Sequence, residues 1–196
     1  NSFSYGNDAV ETVSYDPDGA KKLLEESGWT DTDGDGYVDK DGQKLSINWL
    51  TYPTRLEQPK LAEYAQATLK DIGIDVVVNN TSDHMTIAKS GDFDVYVSST
   101  TTAPTGDPEY FFTSTVTGAK NYGNYQNEEV TKLTDQLHQS FDKDERAKLA
   151  VELQQDILDD DAFFFVSHLN MGIVTKSNVT GMAAHPCDYY EITADL

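Results

Sequence analysis

Cysteine is nearly absent from this chain of 196 residues. Cys187 is the only one, so no internal disulfide can form and cysteine usage leaves the redox compartment open. Basic residues are scarce as well: 14 Lys plus Arg stand against 34 Asp plus Glu, giving a formal net charge of -20 and a pI near 4.2. Such a balance repels nucleic-acid phosphates and anionic headgroups, so nucleic acid is not an expected partner. No apolar run approaches the roughly 18 residues that a membrane-spanning helix needs. A phosphate-binding glycine loop, a serine elbow, a CxxC pair and an HExxH helix are all missing, and the chain is expected not to be an enzyme. There is no internal repeat and no low-complexity linker, which predicts one compact unit over 1–196. The chain opens on Asn1 without an initiator Met, so a processed protein or an excised piece of a longer one is expected.

What is present suits a buried core: 38% hydrophobic residues, with 11 Tyr and 8 Phe. Asp16 and Pro17 predict a helix start, Ala20, Leu23 and Leu24 share one face, and Gly28 supplies the stop. Leu45, Ile47 and Trp49 alternate with polar residues and predict a strand ending near Thr51. Leu61, Ala65, Leu69 and Ile72 then mark a helix stripe before Gly73. Strands are predicted at Ile74 to Val78 and Phe93 to Val97, with a short helix at Asp83 to Lys89 between them. Alternating helix and strand argues for an α/β sheet, parallel or mixed. Asp107-Pro108 opens a short helical run. Val130, Leu133, Leu137 and Phe141, then Ala147, Ala150, Ile157 and Leu158, predict a helical hairpin capped by Asp142 or Asp144. Phe163 to Val166 and the alternation Leu169, Met171, Ile173 predict a return to the sheet.

The most unusual stretch is Asp31 to Gly42, DTDGDGYVDKDG. Asp31, Asp33, Asp35, the Tyr37 carbonyl and Asp39 fit positions 1, 3, 5, 7 and 9 of a calcium loop. Gly42 stands where a bidentate Glu belongs, which predicts a structural site rather than a sensor. Among the histidines, His84 and His138 are expected on solvent-exposed helix faces, and His168 at a core or rim position. His185, two residues from Cys187, is the best candidate for a borderline metal such as nickel or zinc. Tyr122 and Tyr125 in the Gly-Asn loop, with Tyr189 and Tyr190, either line a ligand cleft or form the rim of the sheet. Arg55, after the first strand, either meets a ligand carboxylate with a bidentate fork or is a surface charge.

Several phrases, taken in order, resemble the C-terminal lobe of peptide and nickel type (family 5) ABC-transporter extracellular solute-binding proteins. They are YDPDGAKKLLEESGW (15–29), the acidic loop with KDGQKL, LAEYAQATLKDIGIDV (61–76), GDPEYFF (106–112), NYGNYQNEEVTKL and ERAKLAVELQQDIL. The resemblance implies a type II periplasmic-binding-protein-like lobe, a mixed β-sheet flanked by helices, with the other lobe absent. It further implies an exported, monomeric, lipid-tethered or periplasmic binding protein that closes over its ligand and delivers it to ABC permease subunits. Peptide-binding members place an Asp just ahead of the GDP phrase; this chain has Ala103-Pro104-Thr105, which favours nickel or a metal chelate over a short peptide. Expected ligand contacts are Arg55, Thr101, Thr102, Ala103, Pro104, Thr105, Tyr122, Tyr125 and His185. The rival is a calcium-dependent structural or interaction module built on Asp31, Asp33, Asp35, Tyr37 and Asp39.

Overall fold

The computed structural model describes residues 7–104, 106–169 and 172–182. They fall into two compact units, one of Val13–Ser99 and the other drawn from Asn1–Thr12 and Thr100–Leu196. In the first unit Asp16 accepts the Gly19 N–H at 2.9 Å and starts α1 (Pro17–Glu26), whose chain leaves through Gly28 at φ 84°. Leu24 packs on the core, but Leu23 is 65% exposed, unlike the expected shared face. Adjacent helical positions lie about 100° apart, and in this helix only Leu24 falls on the core side.

Strands β1 (Asp39–Lys40) and β2 (Gln43–Lys44) pair antiparallel across Asp41 and Gly42, whose φ values of 54° and 75° are those of a two-residue hairpin turn. Gly42 therefore does a turn's work where a calcium loop would place its last ligand. Beyond the hairpin, β3 (Ser46–Thr51) pairs in parallel with β4 (Asp75–Asn80) on one side and β5 (Val95–Tyr96) on the other. Helix α2 (Glu57–Lys70) is the crossover from β3 to β4, and α3 (His84–Ser90) that from β4 to β5. Trp49, Ala62, Ile74, Val76 and Val97 form the core of this unit, and Gln66 Nε2 donates to the Val76 carbonyl at 2.7 Å. The expected alternation holds in β4, where Val76 is buried and Val77 is 49% exposed. It fails at the end of β3, where Trp49, Leu50 and Thr51 are all buried, because a central strand is covered on both faces.

The second unit is helical among its described residues. A short α4 (Glu109–Phe111) runs directly into a π-helical turn, Phe112–Val116, and two capped helices follow. Asn127 accepts the Glu129 and Val130 N–H groups to start α5 (Glu128–Gln139), and Asp142 accepts those of Asp144 and Glu145 to start α6 (Lys143–Asp159). Val130, Leu133, Leu137, Leu149, Ala150, Leu153 and Ile157 pack with Phe111, Phe112 and Val116. Phe141 does not join them: Ser140 turns to an extended conformation, and Phe141 is 96% exposed. Ala147 and Leu158 are half-buried at the edge of the stripe, which centres on Leu149 and Leu153 instead.

The predicted return to the sheet over Phe163–Val166 and Leu169–Ile173 is not realised among the described residues, none of which there is in a strand. Alternating apolar residues make a strand only where a neighbouring edge can pair with them, and the three-stranded sheet belongs to the other unit. Phe163 instead packs edge-on against Phe111 and Tyr125, while Phe164 is 87% exposed.

Candidate functional site

In the order β4-β3-β5 the connection from β3 moves to one side and the connection from β4 crosses back to the other. The carboxyl ends of β3 and β5 flank that reversal, which is where open α/β sheets hold ligands. Tyr52 follows β3 directly and is 7% exposed. His84, at the start of α3, stacks on the Tyr52 ring with centroids 4.1 Å apart, and its Nδ1 lies 2.8 Å from the Tyr96 hydroxyl. It is half-buried between two aromatic rings rather than solvent-exposed as its polar neighbours in sequence suggested. The Tyr52 hydroxyl oxygen accepts the Ser99 N–H at 3.1 Å, 47 residues away.

Arg55 lies in the turn after Tyr52 and is exposed; among the described residues its guanidinium has no hydrogen bond or ion pair. Among the described residues, four buried polar atoms without a partner belong to β3 and the helix that follows it: Trp49 Nε1 and Thr51 Oγ1 from β3, Glu57 Oε1 and Gln58 Oε1 from the first turn of α2. Groups of this kind are satisfied by ordered water or by a polar ligand. Sequence reasoning singled out Arg55 but had no signal for these four, whose burial is a tertiary property.

The remaining expected ligand residues belong to the other unit. Thr101 and Thr102 are exposed, Ala103 is half-buried and Pro104 is buried, with the Gly106 N–H bonded to the Ala103 carbonyl at 3.0 Å. Tyr122 is half-buried. Tyr125 packs against the core, and its hydroxyl donates to Asp160; burial, then this bond, push the phenol well above its usual pKa. Its polar end is therefore already engaged. Thr105 and His185, like Cys187, Tyr189 and Tyr190, lie outside the described residues.

In the acidic loop Asp31, Asp33 and Asp39 each offer an oxygen within 4.8 Å of the others. Asp31 accepts the N–H groups of Gly34 and Gly36 at 2.7 and 3.0 Å, and Asp39 accepts from Thr32. Asp35 leaves the expected set: Lys44 Nζ binds it at 2.7 Å, and that bond, with the Tyr37 N–H, holds its carboxyl below the usual range. The Lys44 ammonium also sits 4.2 Å from the Tyr37 ring centroid. The Lys44 ammonium thus neutralises part of the loop's charge.

The strongest polar cluster was not anticipated. The chain has two arginines, and Arg146 of α6 engages its whole fork. Nε and one Nη of Arg146 grip Asp107 at 3.0 and 2.6 Å, the same Nη reaches Glu109 at 2.8 Å, and the other Nη donates to the carbonyls of Leu137 and Ser140. His138 Nδ1 lies 2.6 Å from the other oxygen of Glu109. This clasp ties the GDPE phrase to the helical hairpin, and it explains chemically why those two phrases occur together. It is structural: every Arg146 donor faces a protein acceptor.

Burial alone would raise the Glu109 carboxyl, but the bonds from His138 and Arg146 outweigh it and hold the group below its usual pKa. A depressed carboxylate contributes stability that is present above its unfolded value of about 4.3 and is lost as pH falls through the folded one. We therefore expect the stability gap between the native chain and Glu109→Gln to narrow between pH 6 and pH 3, as read by urea denaturation at each pH. A gap that widens on acidification would contradict this assignment.

Residues 1–123 match the family model of bacterial extracellular solute-binding proteins, family 5 Middle. Over 198 residues the chain is 30% identical to the oligopeptide-binding protein AppA of Bacillus subtilis (strain 168), covering 97% of this chain and 36% of the relative. It is 26% identical to the nickel-binding periplasmic protein of Escherichia coli (strain K12), covering 94% of this chain and again 36% of the relative. Its fold superposes on NikA from Brucella suis, solved in complex with Fe(III)-EDTA, with a TM-score of 0.69 at 26% identity, over 82% of this chain and 33% of that one. The chain thus spans about a third of the length of the relatives it matches.

Proposed function

Because the chain belongs to the bacterial extracellular solute-binding proteins of family 5 and shares the type II periplasmic-binding-protein fold, we propose that it is one lobe of the solute-capturing component of an ABC importer. In this reading it binds rather than catalyses, works as an exported monomer, either held at the membrane by a lipid anchor or periplasmic, and hands its ligand to permease subunits. The ligand carries a carboxylate: an amino-acid chelate of nickel or another metal first, a short peptide second. One observation carries this reading. In a chain of net charge -20, Arg55 stands exposed in the turn that follows the central strand, with no hydrogen bond or ion pair among the described residues. An unpaired fork at a sheet's switch point suits a planar carboxylate. The chelate is favoured over the peptide because the segment Thr100–Pro104 holds no carboxylate to meet a peptide's ammonium group. Thr101, Thr102, Ala103, Pro104, Thr105, Tyr122 and His185 are proposed as further contacts, and Tyr125 as a ring contact only, each to be tested by its own substitution.

The calcium reading stays as the alternative on the convergence of Asp31, Asp33 and Asp39. Calorimetry on the full-length protein separates the two, with nickel plus L-histidine, a nonapeptide and calcium as titrants. We expect one of the first two to bind, and Arg55→Ala to weaken it by about 10- to 100-fold, the worth of a charge-assisted pair. If neither binds while calcium binds tightly, the transport reading is lost; if Arg55→Ala binds as well as the native protein, Arg55 is no ligand residue.

A further inference from the structure

The cluster at the carboxyl end of the sheet holds a device that the ligand reading does not use. Tyr52, His84 and Ser99 come from three separate segments of the first unit. Ser99 is the last residue before the chain runs into Thr100–Pro104, the loop assigned to the ligand above. Backbone pairing with the sheet ends just before it: the Val97 N–H donates to the Leu50 carbonyl at 3.0 Å, and the Ser99 N–H then finds a side chain instead, the Tyr52 hydroxyl at 3.1 Å. A strand would normally continue this ladder with another carbonyl. Here a phenol oxygen takes over as the acceptor.

That ring is itself held. Tyr52 is 7% exposed, and the His84 imidazole lies nearly parallel to it, at 20° and 4.1 Å between centroids. The imidazole is fixed in turn by its Nδ1 contact with Tyr96 at 2.8 Å, and the Tyr96 hydroxyl also reaches the Met85 sulfur at 3.8 Å. Tyr96 is the last residue of β5, so the ring system spans the ends of both strands at the reversal. We infer that Tyr52 is a positioning residue for the loop that begins at Thr100, and that His84 acts through it as the wall that sets the ring. Neither residue needs to touch ligand. The inference rests on the proposed role of that loop, and its first test does not.

Amide hydrogen exchange on this chain provides that test. Tyr52→Phe keeps the ring and the stack but removes the acceptor of Ser99. Its Ser99 amide should exchange roughly tenfold faster, the worth of one hydrogen bond, while the Val97 amide keeps its native rate. His84→Ala should speed Ser99 similarly with Tyr52 intact, and His84→Phe, which restores a stacking wall, should return it close to the native rate. An unchanged Ser99 rate in Tyr52→Phe, or an equal rise at Val97, overturns the anchor; a slow Ser99 in His84→Ala overturns the part given to His84. In the full-length protein, Tyr52→Phe should then weaken capture of nickel plus L-histidine, or of a nonapeptide, several-fold through faster release. If native protein binds a probe and Tyr52→Phe holds it as tightly, the positioning role is overturned whatever the exchange data show. If native protein binds neither probe, the proposed function fails, and the exchange rates still decide the anchor.

Discussion

Replacing Arg146 with alanine is expected to lower the stability of the helical unit by about 3 kcal/mol, the low end of what breaking a largely buried ion pair costs. The side chain is only 13% exposed, and its partners Asp107 and Glu109 are 31% and 25% exposed. Removing the guanidinium leaves two carboxylates facing one another across a half-buried site, and strips the Leu137 and Ser140 carbonyls of their donor at the end of α5. Repulsion and lost hydrogen bonds act together, so the loss exceeds that of a surface pair, which is about 0 to 1 kcal/mol. Arg146→Lys restores the charge with three donors in place of a planar fork and should recover part of the loss. The measurement is urea denaturation followed by far-UV circular dichroism. Tryptophan fluorescence is the wrong probe here, since Trp29 and Trp49 both belong to the other unit. An Arg146→Ala chain as stable as the native one would show the clasp to be ornamental.

The second large effect is expected at Gly118, from Gly118→Ala. A Cβ there would stand 2.0 Å from the Thr113 carbonyl oxygen and 3.0 Å from both Cα and O of Ser114. All three are backbone atoms of the π-helical turn, so no side chain can swing aside. The approach is enforced from both directions: the Thr117 N–H closes the turn on Phe112 at 2.9 Å, and the Lys120 N–H returns to the Ser114 carbonyl at 2.8 Å. Relief would have to move the backbone between Phe112 and Val116, which are 2% and 0% exposed and part of the core. The expected cost is about 3 kcal/mol, at the upper end for overpacking. Gly123→Ala is the control. A Cβ at Gly123 meets nothing within 4 Å, and its φ is not positive, so the substitution should be neutral or stabilise by up to about 1 kcal/mol through the unfolded chain. Equal stabilities for the two variants would mean that the close approach at Gly118 is not real.

Where the sequence was read correctly, the cause of the structure was local. Asp16 and Asp142 cap their own helices within three residues, and the pattern of β4 follows from a strand with one covered face. The resemblance also rested on ordered local phrases, which is why the family could be named while the clasp linking two of those phrases could not. Arg146 lies 39 residues from Asp107 and 37 from Glu109, and nothing in the periodicity of α6 distinguishes it from the exposed charges around it. His84 was misjudged for the same reason, since its walls Tyr52 and Tyr96 arrive from β3 and β5. In the acidic loop the spacing of aspartates was legible. The diversion of Asp35 to Lys44 depends on the hairpin that folds Lys44 back over it.

The sequence by itself determined the family, the α/β alternation, the capped helical hairpin and the candidacy of Arg55, because these depend on residue type and short-range order. Only the tertiary structure decided which charges are free. Among the described residues it occupied Arg146 and left Arg55 without a partner, bonded Ser99 to the Tyr52 hydroxyl, and kept Phe163 to Val166 out of any strand. The physical reason is that hydrogen bonds, ion pairs and strand ladders are made between partners, and a partner distant in sequence is brought close only when the chain has folded.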